Sequence, residues 1–307
     1  MESKALFRFP AGERLTCHFR PAKALDPHGP ASRCRPEHPG GRGRRHPVPR
    51  SAGAPLSYKI HRGDALLRLA DIPSQSVDCV ITDPPYNSGG RTAKERTART
   101  AREKYTTAGS AHTLESFPGE NKDQRSYAYW LSQLLAESHR ATRDGGTALV
   151  FTDWRQLGAT ADALQAGGWI WRGALAWYKP AARPQRGRFT QHCEFVLWGS
   201  KGAMDADANP VYLPGLYTAS QPKGAGRVHI TQKPVSVMRE LVKIAKPGGT
   251  VLDFCMGSGS TGVAALLENR SFVGIEVTDH YAGVAEKRLA EAARQVREGT
   301  ADTEPSP

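Results

Sequence analysis

Residues 250–276 read TVLDFCMGSGSTGVAALLENRSFVGIE, and the fold follows from this stretch. A short apolar run containing Val251 and Leu252 enters a glycine-rich turn. An Ala/Leu-rich helical segment follows, and then a second apolar run, 272–276, that ends on Glu276. Two strands joined through a helix cannot form a hairpin; they lie parallel in one sheet. Glycines in such a turn let the backbone approach a ligand closely, and the helix start adds free N–H donors. A carboxylate at the end of the second strand can accept both hydroxyls of a ribose. Gly257, Gly259 and Gly262 also satisfy GxGxxG, which taken alone points to a nicotinamide dinucleotide.

Working outward, strand-like runs rich in β-branched and aromatic residues fall at 58–62, 77–82, 147–152, 171–178, 193–198, 250–254 and 272–276. Helical segments are expected at 125–142, 154–166, 234–246, 260–268 and 279–297. In the first of these, Tyr127, Trp130, Leu131, Leu134 and Leu135 share one face. Asp144-Gly145-Gly146 and Pro247-Gly248-Gly249 stand as helix terminators before the next strands. This alternation predicts an α/β fold, a doubly wound and mostly parallel sheet covered on both faces. The stretches 87–124, polar and basic, and 200–230, rich in Gly, Pro and Ala, fall outside it.

Asp83-Pro84-Pro85-Tyr86 follows the apolar run 77–82 directly. In open α/β sheets ligands bind beyond the carboxyl ends of strands, so this tetrapeptide should face the same crevice as the glycine turn. A rigid turn ending a strand would account for the two prolines alone. It does not account for a carboxylate, a spare Pro84 carbonyl and an aromatic ring placed together. Two acceptors and one stacking surface suit a planar base carrying an exocyclic amine.

Charge points the same way. With 42 Lys+Arg against 30 Asp+Glu the formal net charge is +12, which suits a polyanionic partner. Residues 1–55 hold 11 Lys/Arg against 4 Asp/Glu, and 91–104 hold 6 against 2, so nearly all of the excess sits in two segments. Residues 1–55 also carry 9 of the 22 prolines and no hydrophobic period; a disordered basic tail is expected, as is disorder over 298–307. The Cys and His residues of the tail fit no compact zinc spacing, and no metal site is expected. No apolar run approaches the ~18 residues of a membrane span, and Arg8 and Pro10 interrupt the only candidate secretory segment. Five cysteines without a CxxC pair argue against a disulfide framework, and a cytoplasmic protein is expected.

These motifs together resemble the DNA amino-methyltransferases that use S-adenosylmethionine to methylate N6 of adenine or N4 of cytosine. The resemblance covers roughly 56–297 and rests on four features: DPPY at 83–86, the glycine loop at 253–261, FVGIE at 272–276, and Thr231-Gln232-Lys233-Pro234. DPPY precedes the glycine loop, which is the order of the family's β group, a circular permutation in which target recognition lies between the two blocks, here about 200–230. Dimerisation is common in that group. The resemblance implies that Asp83, Pro84, Pro85 and Tyr86 handle a flipped-out base. Asp253, Phe254, Gly257, Ser258, Gly259, Thr261, Glu276, Asp64, Ala65, Lys233 and Pro234 would then contact the cofactor. Arg91, Lys94, Arg96, Arg99, Arg102 and Lys104 would clamp DNA phosphates, adding affinity without sequence information.

One departure stands out: the family usually has Asp-Pro-Phe before the glycines, where this chain has Asp253-Phe254-Cys255. Transfer by direct in-line displacement needs no cysteine nucleophile, and none of the five cysteines is expected where one could be used. Asp at 83 favours adenine over cytosine. A nicotinamide-dependent oxidoreductase and a catalytically silent DNA-binding protein are the competing readings.

Overall fold

Among the described residues, β-branched and aromatic runs form eight strands: β1 (Tyr58–Arg62), β2 (Val77–Thr82), β3 (Thr142–Thr152), β4 (Ile170–Tyr178), β5 (Cys193–Ser200), β6 (Leu216–Thr218), β7 (Thr250–Asp253) and β8 (Ser271–Glu276). The computed structural model describes residues 56–86 and 122–299, except 183, 185, 223–228 and 230. These all belong to one compact unit, 51–307. The tail 1–55, the basic residues Arg91 to Lys104 and the end 300–307 lie outside the described residues.

The strands form one sheet in the order β1-β8-β7-β2-β3-β5-β4-β6. Every neighbouring pair is parallel except β3 with β5 and β4 with β5, so β5 alone runs against the rest. Among the described residues six helices flank it: α1 (Ala65–Arg68), α2 (Gln124–Ala141), α3 (Leu157–Ala166), α4 (Val235–Leu241), α5 (Ser260–Leu267) and α6 (Asp279–Glu298). Alternation along the strands divides the core in two. Cys79, Ile81, Leu149, Phe151 and Val251 pack toward α4, α5 and α6. Val80, Ala148, Val150 and Leu252 pack toward α1, α2 and α3. This is the double winding expected from the sequence.

Local chemistry sets the element ends. Asp123 caps α2, its carboxylate accepting from the backbone N–H of Arg125 (2.9 Å) and Ser126 (2.8 Å). Tyr127, Leu131, Leu134 and Leu135 are fully buried on the expected face of α2, whereas Trp130 is only half-buried.

Five expectations need correction. Asp144-Gly145-Gly146 lies inside β3 rather than ending a helix: left-handed Gly145 (φ 78) forms a bulge, and pairing with β2 jumps from Val77↔Thr142 to Cys79↔Thr147. α3 starts at 157, not 154, because the Asp153 carboxylate accepts from the Arg155 and Gln156 N–H groups and makes a turn there. The 234–246 helix shortens to α4 followed by a 3-10 turn, Val242–Ile244. The segment 200–230 contains β6, paired to β4 from Ala176↔Leu216 to Tyr178↔Thr218. α6 runs to Glu298 and is closed by left-handed Gly299, so order extends past 297.

Candidate active site

β2 and β7 are neighbours, with Cys79 opposite Val251 and Val80 opposite Leu252. From β2 the chain goes on to β3 on one side; from β7 it goes on to β8 on the other. The carboxyl ends of β2 and β7 therefore open a crevice at a topological switch point. A cavity of about 250 Å³ fills it. Asp83, Pro84, Pro85 and Tyr86 line one side, and Asp253, Phe254, Gly257, Ser258 and Thr261 line the other, with Asp64, Ala65, Lys233 and Glu276 completing the wall. Gly259 and Pro234 are not on that wall: Gly259 (φ 80) precedes the first turn of α5, and Pro234 stands at the N-terminus of α4.

The glycine-loop side is held by hydrogen bonds to carboxylates. Asp253 Oδ1 accepts from the Cys255 N–H (3.0 Å), and its Oδ2 accepts from the Thr261 hydroxyl (2.6 Å). Burial pushes the Asp253 carboxyl up to about 7 against these bonds. Glu276 Oε2 accepts from the Gly257 N–H (3.0 Å), while Oε1 accepts from the N–H and hydroxyl of Thr278. Asp64 caps α1 by accepting from the Leu66 N–H (3.0 Å), and the Gly63 N–H donates to the Glu276 carbonyl (2.8 Å). The tip of β1 is thereby tied to the tip of β8.

The DPPY side carries a buried network of two carboxylates and two ammoniums. Lys233 Nζ lies 2.5 Å from Asp83 Oδ2 and 3.4 Å from Glu194 Oε2. The Tyr86 hydroxyl donates to Glu194 Oε2 (3.0 Å), and Lys179 Nζ donates to Glu194 Oε1 (2.8 Å). The rings of Phe151, Tyr86 and Trp177 surround the Lys233 ammonium at 5.1, 5.7 and 5.9 Å, within cation–π range. Burial raises the Asp83 carboxyl to about 6, although Lys233 pulls it down. Burial acts the same way on Glu194, but Lys233 and Lys179 outweigh it and hold Glu194 at about 2. Among the described residues, Asp83 Oδ1 is buried with no hydrogen-bond partner. One oxygen of this carboxylate is thus paired and the other is unspent.

Sequence reading missed Glu194, Lys179 and His229. Glu194 reaches the crevice because β5 is reversed, so its first residues, not its last, lie at the tips of the other strands. His229 lines the cavity and packs on Tyr281 with ring centroids 4.2 Å apart. Cys255, in the glycine loop, is on the cavity wall. Burial and the nearby carboxylates raise its thiol well above the ordinary value, so it is held as the protonated, unreactive form. Phe254 is buried in the core beneath, with Leu252 and Ile275. Among the described residues no His, Cys, Asp and Glu cluster could hold a metal ion, and no helix is long and apolar enough to cross a membrane.

Comparison with known proteins identifies the family. Residues 77–211 and 205–287 match the model of the N6/N4 family described as DNA methylase. The chain is 27% identical to YubD of Escherichia coli (strain K12) over 243 residues, which are 78% of this chain and 94% of that one. It is also 27% identical to the type II methyltransferase M.SmaI of Serratia marcescens over 286 residues, covering 76% and 91% of the two chains. Among solved structures, that of M1.HpyAVI in complex with SAM superposes with a TM-score of 0.55 at 26% identity, covering 76% of this chain and 98% of that one. With its family model matched over most of its length, the chain belongs to the N6/N4 family of DNA methylases.

Proposed function

We propose that the protein transfers a methyl group from S-adenosylmethionine to N6 of an adenine turned out of DNA. The observation that carries this reading is that Asp83, whose buried Oδ1 is unpartnered among the described residues, stands on the wall of a cavity shared with the glycine loop. An amine conjugated into a purine ring is a weak nucleophile. Acceptance of one N–H by Asp83 and of the other by the Pro84 carbonyl draws it toward a tetrahedral shape with its lone pair exposed. Tyr86 stacks on the base, which the protein must first extract from the duplex at a cost of a few kcal/mol.

The other half of the cavity suits the cosubstrate. Asp253, Gly257, Ser258 and Thr261 would hold its methionine part and Glu276 its ribose. Gly257 (φ 51) has no Cβ to come between the loop and His229, whose Nε2 would lie 3.3 Å from such an atom. S-adenosylmethionine supplies a methyl group on a sulfonium, so that an N–C bond forms as the S–C bond breaks and the amine proton passes to the Asp83 carboxylate. The basic residues Arg91 to Lys104 follow DPPY closely in the chain, and we assign them to the DNA phosphates.

Purified protein incubated with labelled S-adenosylmethionine and DNA should yield labelled N6-methyladenine. Label in N4-methylcytosine would overturn the base assignment, and no label in DNA would overturn the reaction. Two pH dependences follow. Asp83 can take up the amine proton only when ionised, so kcat/KM should fall about tenfold per pH unit below about 6. A flat profile from pH 5 to 8 would remove Asp83 from that role. Asp253 faces a cationic cosubstrate, so affinity for S-adenosylmethionine should weaken as pH falls below about 7, with proton release on binding near neutrality. Calorimetry in buffers of different ionisation enthalpy reads this directly, and pH-independent binding would exclude it.

A further inference from the structure

Glu194 is buried, yet it is not on the cavity wall. Its Oε1 accepts from Lys179, and its Oε2 accepts from Tyr86 and faces Lys233. Two of the groups it holds belong to the base side of the crevice: Tyr86 lines the cavity, and Lys233 bridges from Glu194 to Asp83. We propose that Glu194 is a positioning residue for methyl transfer, which fixes the ring of Tyr86 through its hydroxyl and shares the Lys233 ammonium with Asp83. The inference rests on the function proposed above and names how its base-side residues are held in place.

The physical argument is one of competition. A lysine with a single carboxylate partner gives that partner its full attraction and holds it fully ionised. A lysine held between two carboxylates neutralises each only in part. Glu194 faces two ammoniums, Lys179 at 2.8 Å and Lys233 at 3.4 Å, and these hold it ionised, whereas Asp83 has Lys233 alone at 2.5 Å and burial raises it. The tyrosine ring is constrained in the same way: a hydroxyl anchored 3.0 Å from a buried carboxylate keeps the stacking face from rotating into the opening. Around Asp83 the titratable groups are Lys233 before α4, Glu194 on β5, Lys179 after β4, Asp253 at the end of β7, Cys255 in the glycine loop and Tyr127 on α2.

Two substitutions test this in opposite directions. Glu194→Gln keeps the shape but removes the negative charge that raises Asp83, so the acid limb of the kcat/KM profile should move to lower pH. With Tyr86 and Lys233 less firmly held, kcat should fall about tenfold to a hundredfold, while the KM for S-adenosylmethionine stays near that of wild type. Lys179→Met removes an ammonium that lowers Asp83, so the same limb should move to higher pH. Lys179 is partly exposed, so this variant decides the matter even if Glu194→Gln folds poorly. A merely structural role would leave both limbs at the wild-type position, and unshifted profiles would overturn the inference. Wild-type protein that labels neither adenine nor cytosine would instead overturn the underlying function.

Discussion

Replacing Asp83 by alanine is expected to lower the rate of methyl transfer by about 10²–10⁴-fold while leaving S-adenosylmethionine binding close to wild type. The carboxylate is the group with an unspent buried oxygen in the crevice, and nothing beside it can take over. The Pro84 carbonyl is a single acceptor, and Glu194 is already committed to Tyr86 and Lys179. The fold should not suffer. A carboxyl raised by burial to about 6 is held ionised at neutral pH against its surroundings, so its removal relieves the protein of that unfavourable burial. Lys233 keeps Glu194 as a partner. Stopped single-turnover assays and cofactor titration check the two halves separately. A variant that transfers at the wild-type rate would dismiss Asp83, and one that loses cofactor binding would make its role structural.

Lys233→Met should have the largest effect on stability. It deletes an ammonium lying against two buried carboxylates and leaves both facing each other in a site walled by Phe151, Tyr86 and Trp177. Breaking a buried pair in this way costs about 3–5 kcal/mol, a fall in Tm of about 6–20 °C for a unit of this size. The sign with pH is defined. Without Lys233 the Asp83 carboxyl rises further. Its folded form then holds a proton that the unfolded chain releases, and the attendant stability is present at low pH and lost as pH rises through the folded value. Denaturant unfolding at pH 5 and pH 8 should therefore show a deficit that grows with pH. Equal stability of variant and wild type at pH 8 would mean that the aromatic cage, not the charge, holds this site together.

The parts of the site that were legible in the sequence are those whose chemistry is local. DPPY follows a strand and the glycines follow another, so each half could be placed at a strand tip from residues within a dozen positions. That the two tips are adjacent depends on β2 pairing with β7, and the parallel pattern made this a natural expectation. Glu194 and Lys179 were not legible, because Glu194 meets Tyr86 across 108 positions of chain and only the sheet order brings them together. The bond from the Lys233 ammonium to the Asp83 carboxylate was not legible either, since it joins groups 150 positions apart and no spacing rule reaches so far. Gly145 was misread for a different reason: a left-handed glycine ends helices and makes bulges equally well, and the neighbouring strand decides which.

The reversed strand has a consequence for remodelling this enzyme. Glu194 faces inward because Trp177 lies opposite it and Tyr178 lies opposite Cys193. Slippage of this hairpin by one residue would turn every side chain of β5 over and present Cys193 or Phe195 to the catalytic charges instead. A loop grafted from a relative between positions 179 and 192 must therefore preserve hairpin phase as well as length. An exchange that ignores it would silence the chemistry while leaving every motif intact.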